Sequence, residues 1–227
     1  MNILVVAAHP DDEVLGCGGS MAKWSNAGHK VQVLILAEGA TSRDAVRNRD
    51  LRSEELSALR SAAYQAGEIL GIKSVQVLGM PDNRMDSMDL LDVVKVIERE
   101  IEKINPEMVV THHAGDVNID HRVIHEAVVT ACRPLPGQCV RRVQSFEVPS
   151  STEWQVPGSG SSFQPNCFVD ISETIELKME ALKAYASEMR DWPHARSLKA
   201  VDHLARWRGA SIGCNAAEAF LLMREVD

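Results

Sequence analysis

Two short polar clusters hold the residues of this chain that could do chemistry, and each follows an apolar stretch. The first, HPDD (residues 9–12), comes directly after ILVVAA (3–8). The second, HHAGDVNIDH (112–121), comes directly after EMVVT (107–111). Imidazole and carboxylate groups are ligands of catalytic zinc sites, which take three of them from the protein and leave one position for water. The residue types therefore indicate a metal centre.

The spacing within the first cluster divides the work among its members. His9 and Asp12 leave one sharp turn, so both side chains can face the same point. Asp11, between them, can point past the metal towards a water molecule and act as its general base. The third ligand must come from a neighbouring loop, and the candidates there are three histidines, His112, His113 and His121.

A glycine cluster after the first motif raises a competing hypothesis, a nucleotide cofactor. Gly16, Gly18 and Gly19 follow the first strand, and Glu38 ends the second, where a dinucleotide-binding protein has its ribose-binding acid. The spacing disfavours this hypothesis, because the pattern G-x-G-x-x-G would need a small residue at Met21. A pair of carboxylates at the turn would also repel a pyrophosphate. The pattern instead favours close packing of a helix against a sheet.

Alternating strands and helices must position these clusters. The apolar runs predict strands at 3–8, 30–37, 74–78, 107–111, 140–148, 167–171 and 219–223. Helices are expected at 13–27, 43–70, 90–104, 121–132 and 172–189 (the last capped by Ser172), with a long loop at 149–165. This alternation is typical of an α/β fold with a mostly parallel sheet, formed as one domain over residues 1–227. Ligands bind such sheets beyond the carboxyl ends of the strands, where both clusters lie.

Composition excludes several classes of partner. The 227 residues carry a net charge of −8, so neither nucleic acid nor an anionic membrane surface would attract the chain electrostatically. No apolar run approaches the roughly 18 residues of a membrane span, and no signal-peptide pattern precedes the first strand. The five cysteines form no C-x-x-C pair and their number is odd, which indicates reduced thiols in a cytoplasmic protein.

The two motifs together resemble a known family. AAHPDDEVLGCGG (7–19) with NIDHR (118–122) is similar to the PIG-L/LmbE-like N-acetylglucosaminyl de-N-acetylases, and the resemblance spans about residues 1–124. It includes RSEEL, LGMPD and VVTHH, and ALKAYASEM (181–189) is a weaker match. The resemblance implies a Rossmann-like, three-layer fold and a divalent metal, usually zinc. It also implies hydrolysis of an N-acetyl group on an amino sugar or its conjugate, with release of acetate.

The resemblance also assigns roles to individual residues. It implies that Asp11 is the general base and that Asp120 orients its neighbours. The implied metal ligands are His9, Asp12 and His121.

The second cluster departs from the family pattern. Many members have His-Pro-Asp-His where this chain has Asn118-Ile119-Asp120-His121, and their first histidine stabilises the oxyanion. An asparagine amide donates a hydrogen bond but supplies neither a proton nor a positive charge. Asn118 is therefore expected to polarise the acetyl carbonyl, while Asp11 serves as base and then as acid. His113 and His194 are alternatives for the missing function.

Three residues are expected to contact the substrate: Arg52, His113 and Trp154. Arg52 matches a family arginine that meets the sugar or acetate, although Arg49 lies one helical turn away. Trp154, beside Glu153, either stacks on a sugar or anchors its loop to the core.

Other partners and functions stay open at this point. Arg141 and Arg142 either meet a nucleotide diphosphate or are solvated. Association of the chain into a homo-oligomer also stays open. The alternatives to a deacetylase are a nucleotide-cofactor enzyme and a catalytically silent sugar-binding module on the same fold.

Overall fold

The computed structural model describes residues 1–158 and 160–227. Strands and helices alternate along this part of the chain, as predicted. The strands are β1 (Asn2–Ala7), β2 (Lys30–Ala37), β3 (Ser74–Met80), β4 (Met108–His112), β5 (Arg142–Phe146), β6 (Cys167–Asp170) and β7 (Ala217–Glu225). The α-helices are α1 (Asp12–Asn26), α2 (Ser53–Ile69), α3 (Leu90–Ile104), α4 (Ile119–Ala131), α5 (Ile175–Ala184) and α6 (Leu198–Ala210).

The strands form one sheet in the order β3-β2-β1-β4-β5-β7-β6. The first five of these are parallel, and β7 runs antiparallel to both of its neighbours. In the middle of the sheet, Val5 of β1 lies opposite Val33 and Val110. The mostly parallel α/β fold predicted from the sequence is confirmed. The carboxyl ends of β1 to β4 meet at one edge, which carries the polar loops.

Helices cover both faces of the sheet and give three layers. On one face, α1, α2 and α5 bury a core that includes Leu15 and Phe146. On the other face, α3 and α4 bury a core that includes Ile97 and Ile124. Because β1 is covered on both sides, its residues 3–7 form an unbroken apolar run.

The glycines of the first motif serve this packing. A Cβ atom at Gly16 would clash with the ring of Phe146, and one at Gly19 would lie 2.7 Å from the side chain of Ile171. Both glycines lie inside α1, which is kinked at Cys17 (φ −147°). The packing role predicted for these glycines is confirmed.

The predicted helix 43–70 is correct only from Ser53 onward. Residues 43–52 form a loop with short 3-10 turns. Charge explains the difference, because Arg47 and Arg49 both leave the helical path to pair with Glu38, at 2.7 and 2.8 Å.

The last third also differs from the sequence-based expectation. α5 is shorter than the predicted helix 172–189, because the hydroxyl of Ser172 donates to Asp170 instead of capping the helix. α6 was not predicted, although Ser197 caps it by accepting a hydrogen bond from the backbone N–H of Ala200 at 3.0 Å.

Two chain-wide features complete the description. In the described ranges, none of the helices combines the length and apolarity that crossing a bilayer requires. The five cysteines are free thiols, of which Cys17 and Cys132 are buried and the others are half-buried.

Candidate functional site

Three side chains at the carboxyl edge of the sheet face a common point. His9 follows β1, Asp12 begins α1, and His121 lies in the first turn of α4. The Oδ2 atom of Asp12 lies 3.1 Å from Nδ1 of His9 and 3.1 Å from Nε2 of His121. These three atoms lie within 4.8 Å of one another. The fold thus brings together the three residues for which the resemblance implies metal ligation.

A carboxylate orients His121 from its far side. The Nδ1 atom of His121 lies 3.1 Å from Oδ2 of Asp116. Asp116 also accepts hydrogen bonds from the hydroxyls of Ser151 and Thr152, the latter at 2.7 Å. This arrangement fixes the ring so that Nε2 points towards Asp12, as carboxylates behind metal-ligating histidines do.

Carboxylates also hold the second nitrogen of His9. Its Nε2 atom lies 3.0 Å from Oδ2 of Asp120 and 3.3 Å from Oδ1 of Asp82. Asp120 is fully buried and accepts hydrogen bonds from the backbone N–H groups of Asn83 and Met85, at 2.6 and 2.9 Å. Asp120 therefore lies where an orienting role requires it, and Nδ1 is the nitrogen of His9 that faces Asp12.

Burial and mutual charge shape the protonation of this cluster. Burial opposes a charge on His121, but Asp12 and Asp116 outweigh it and raise the pKa of this imidazole to about 9. Burial also opposes a charge on Asp12, yet His121 and His9 hold the pKa of this carboxyl well below its ordinary value. The surrounding carboxylates therefore stabilise positive charge at the centre of the cluster, which favours a cation there.

The donor set fits a divalent metal ion. Two imidazole nitrogens and one carboxylate oxygen are the ligand types of catalytic zinc centres. The far nitrogen of each imidazole already faces a carboxylate, Asp120 for His9 and Asp116 for His121. Such outer partners fix the ligating tautomer and leave the inner nitrogen for the metal.

Neither of the other two histidine candidates belongs to this group of three converging side chains. His112 is fully buried, stacks on His121 with 3.8 Å between ring centroids, and accepts a hydrogen bond from the backbone N–H of Ala8 at 2.8 Å. Its burial, together with His121, lowers its pKa well below the usual range. The Nε2 atom of His113 lies 2.9 Å from the carbonyl oxygen of Ser161. His113 therefore anchors the long loop, and its position does not fit the predicted substrate contact.

Asp11 occupies an unusual backbone conformation in the turn before α1. Its φ is 117° and its ψ is −30°, a region that L-residues rarely adopt. The backbone N–H of Asp11 donates to Oε2 of Glu13 at 3.1 Å, and the hydroxyl of Tyr185 donates to Oε1 of Glu13 at 2.6 Å. These contacts hold the turn from within the protein.

The carboxylate of Asp11 meets one cation. Its Oδ2 atom lies 2.9 Å from Nη1 of Arg196. Burial and the neighbouring Asp12 raise the pKa of Asp11 well above its ordinary value, and Arg196 opposes this rise. A carboxyl with a raised pKa can take a proton from water and return it near neutral pH.

These groups form the floor of a cavity of about 600 Å³. Its walls come from the loops after β1, β2 and β3, the start of α4, the 149–165 loop and the segment between α5 and α6. Trp154 lies at the mouth, 55% exposed, with its ring 6.0 Å from that of His194. Trp154 is therefore not an anchor to the core. The volume is that of a small-molecule site.

The predicted substrate arginine lies outside this cavity. Arg52 pairs with Asp44 at 2.7 Å and with Glu55 at 2.9 Å. Arg43 lines the cavity instead and pairs with Glu188 at 2.7 Å. The expectation of a substrate contact from Arg52 does not fit this position, because two acids hold its guanidinium away from the site.

Asn118 lines the cavity but already has partners. Its Oδ1 atom accepts a hydrogen bond from the backbone N–H of Asp120 at 2.9 Å and so caps α4. Its Nδ2 atom donates to Oδ1 of Asn83 at 2.9 Å. An amide nitrogen carries two hydrogens, so one remains for a ligand.

Residues that shape this site but were not predicted from the sequence include Asp82, Asp116 and Arg196. Asp82 and Asp116 lie in the polar clusters after β3 and β4, so their place in the chain was a usable signal. Arg196 gave no signal, because it lies 185 residues from Asp11 in an irregular segment. Arg141 and Arg142 lie at the amino end of β5, away from the cavity, which leaves no part for them in this site.

The chain is 29% identical over 191 residues to the uncharacterized deacetylase YaiS of Escherichia coli K12, covering 82% of this chain and 90% of that protein. It is 28% identical over 189 residues to a probable N-acetyl-α-D-glucosaminyl L-malate deacetylase 2 of Bacillus cereus, covering 82% and 83%. The structure is also similar to GalB, the 4-carboxy-2-hydroxymuconate hydratase of Pseudomonas putida KT2440 (TM-score 0.80, 22% identity, 100% and 97% covered), which shows the fold alone.

The family match covers both polar clusters. The model of PIG-L, GlcNAc-PI de-N-acetylase, matches residues 4–132, which include the turn at His9–Asp12 and the start of α4. That match spans more than half of the 227 residues. The chain therefore belongs to the PIG-L family.

Proposed function

We propose that this protein is a metal-dependent hydrolase that removes the N-acetyl group from an N-acetylated amino sugar or its conjugate and releases acetate. The observation that carries the proposal is the placement of Asp11 beside the convergent His9, Asp12 and His121 on the floor of one cavity. Family membership supports the reaction class. The similarity to a probable N-acetyl-α-D-glucosaminyl L-malate deacetylase supports the substrate class.

His9, Asp12 and His121 would hold the metal, and the donor set favours Zn²⁺ among divalent ions. Bound there, the ion supplies Lewis acidity, which polarises a carbonyl oxygen and lowers the pKa of water. Asp120 and Asp116 keep the two imidazoles in the ligating orientation. Neither of these two carboxylates needs to touch the substrate.

Asp11 moves the proton in this proposal. Its carboxylate accepts a proton from the attacking water as the water oxygen bonds to the acetyl carbon. The carbon–nitrogen bond then breaks, and Asp11 returns the proton to the leaving amine nitrogen. Asn118 donates its remaining amide hydrogen to the acetyl oxygen. The products are acetate and the free amino sugar.

The cavity mouth would hold the sugar. Trp154 presents an exposed ring beside His194, an arrangement suited to stacking against a pyranose. The free cysteines support a reducing, cytoplasmic location for this activity.

The test is acetate release by purified protein of known metal content. The panel comprises N-acetylglucosamine in its free form and linked to a small organic acid, to a second sugar and to a lipid. We expect acetate from at least one member, lost on treatment with a chelator and restored by Zn²⁺. The Asp11→Asn variant is the control for contaminating activity. Metal-loaded protein that releases no acetate from the panel would support the silent binding module instead.

A further inference from the structure

The side chain of Asp11 is held by a segment that lies beyond the family match. This α5–α6 segment, residues 185–197, crosses from the end of α5 to Ser197, the cap of α6. It contributes Glu188, Arg190, His194 and Arg196 to the cavity wall. The matched region ends at residue 132. The floor of the cavity is therefore completed by a part of the chain that lies outside both polar clusters and the matched region.

Arg196 is fixed on two sides. Its Nη1 atom lies 2.9 Å from Oδ2 of Asp11, and its Nε atom donates to Oγ of Ser150 at 2.7 Å. Its backbone N–H donates to Nδ1 of His194 at 3.0 Å. Glu188 lies 3.8 Å from the same guanidinium. A guanidinium held at both edges presents a rigid donor to the carboxylate.

The contact divides the two oxygens of Asp11. Oδ2 accepts a hydrogen bond from Arg196, whereas the hydrogen bonds of the described residues include none to Oδ1. Asp11 is 2% exposed, and the exposed part faces the cavity. Arg196 therefore determines which oxygen is left for a proton.

The local chain does not by itself set this direction. Asp11 has a φ of 117°, which costs free energy for a residue with a Cβ atom. The hydrogen bonds from Asp11 and Tyr185 to Glu13 hold its backbone, but they do not touch its carboxylate. In the described chain, Arg196 is the cation that pairs with it.

We propose that Arg196 is a positioning residue that aims the free oxygen of Asp11 at the reacting water, so that the α5–α6 segment completes the catalytic machinery. The proposal rests on the deacetylase function proposed above. It extends that function to a residue outside the matched region. Without Arg196, the free oxygen of Asp11 should no longer be directed at the water. This should lower kcat and leave substrate affinity nearly unchanged, because a base misplaced by about 1 Å costs roughly 10²-fold in rate.

The test compares Arg196→Gln and Arg196→Lys with Arg206→Gln. Arg206 pairs with Asp202 on the exposed side of α6, at 2.9 Å, and does not line the cavity. Using the best substrate of the acetate panel, we expect Arg196→Gln to lower kcat by about 10²-fold with KM within about threefold. Arg196→Lys should recover part of the loss, since an ammonium restores the charge but not the fork. Arg206→Gln should match wild type.

Two kinetic results would overturn the proposal. One is an Arg196→Gln enzyme whose kcat equals that of wild type, and the other is an Arg206→Gln enzyme with the same loss as Arg196→Gln. A crystal structure of Arg196→Gln gives a readout independent of activity, in which the Asp11 carboxylate should adopt a different rotamer. If wild type releases no acetate, the proposed function fails, and an unchanged Asp11 rotamer would overturn the positioning role separately. If Arg196→Gln does not fold, the rotamer in Arg196→Lys is decisive.

Discussion

Two groups of buried charged side chains contact α1, and they differ in how completely their charges and hydrogen bonds are paired. The first is the ion pair of Lys178 and Glu218, with 2.6 Å between Nζ and Oε1. Lys178 also donates to the carbonyl of Leu15 at 2.8 Å, and Glu218 accepts from the backbone N–H groups of Gly19 and Ser20 at 3.0 and 2.7 Å. The pair thereby satisfies backbone groups beside the kink in α1.

The second group is the cluster of His9, Asp12 and His121. It is buried to a similar degree, but the neighbouring Asp82 and Asp120 surround it with more carboxylates than imidazoles. It also opens to a cavity, whereas the first group contacts only a small space of about 20 Å³. Burial of charge is therefore common to structure and function. What distinguishes the second group is an excess of carboxylates over imidazoles beside an open cavity.

The largest effect should come from Asp11, which lines the same cavity as the cluster of His9, Asp12 and His121. Asp11→Asn keeps the shape of the side chain and removes its ability to take a proton. We expect kcat to fall by about 10² to 10⁴-fold, the usual contribution of a general base. Acetate release and metal content are measured on the same preparation. A variant that keeps both its metal and its full kcat would show that Asp11 is not the base.

Changes to the ion pair of Lys178 and Glu218 should alter the stability of the protein. Lys178→Met leaves Glu218 buried and unpaired, and it should lower the free energy of unfolding by about 3–5 kcal/mol. The double variant Lys178→Met/Glu218→Leu should recover much of that loss, because neither charge then remains buried. Denaturant unfolding of both variants and wild type measures this. Equal destabilisation in the single and double variants would contradict the explanation by an unpaired charge.

Asp116 contacts Nδ1 of His121, on the opposite side of the ring from Asp12. Asp116→Asn removes the carboxylate that fixes the imidazole, so metal affinity should fall by about 10 to 100-fold. Competition with a chromophoric chelator measures the affinity. Asp202→Asn, on the surface of α6, is the matched control and should leave it unchanged. An affinity unaltered in Asp116→Asn would mean that His121 is oriented by its packing alone.

The smallest effect concerns Asn118, whose side chain caps α4. Asn118→Ala should lower the free energy of unfolding by about 1 kcal/mol, the usual cost of a lost cap. Asn118→Ser retains an acceptor at this position and should stay close to wild type. Thermal and denaturant unfolding compare the three proteins. If serine destabilised as much as alanine, the stabilising contact would be the hydrogen bond from the Asn118 amide to Asn83 and not the helix cap.

The sequence alone was sufficient for the general plan of the molecule. Its alternating apolar runs predicted β2 and α3 to the residue and the mostly parallel sheet as a whole. The two motifs predicted that His9 and Asp12 would lie near a histidine of the second cluster, because parallel strands carry their carboxyl ends to one edge. The family resemblance then singled out His121, which the fold does bring to the other two residues. Periodicity, one general rule of sheet topology and a family motif were enough for these features.

Other features depended on the tertiary structure. The expected helix at 43–52 gives way to ion pairs with Glu38, and Arg52 turns away from the cavity towards Asp44 and Glu55. His113 anchors a loop instead of lining the site. Each difference has the same physical cause, because long charged or polar side chains choose among partners that are distant in the sequence.

The turn at residues 9–12 shows where the boundary lies. Its residue types predict that a metal ligand, a base and a second ligand follow one another along the chain. The left-handed φ of Asp11 and the direction of its carboxylate come from Glu13, Tyr185 and Arg196. Two of those three residues lie far along the chain, and only the folded protein brings them to the turn. The kinds of reactive side chain could therefore be predicted from the local sequence. The direction of the Asp11 carboxylate depends on contacts that form only when the chain folds.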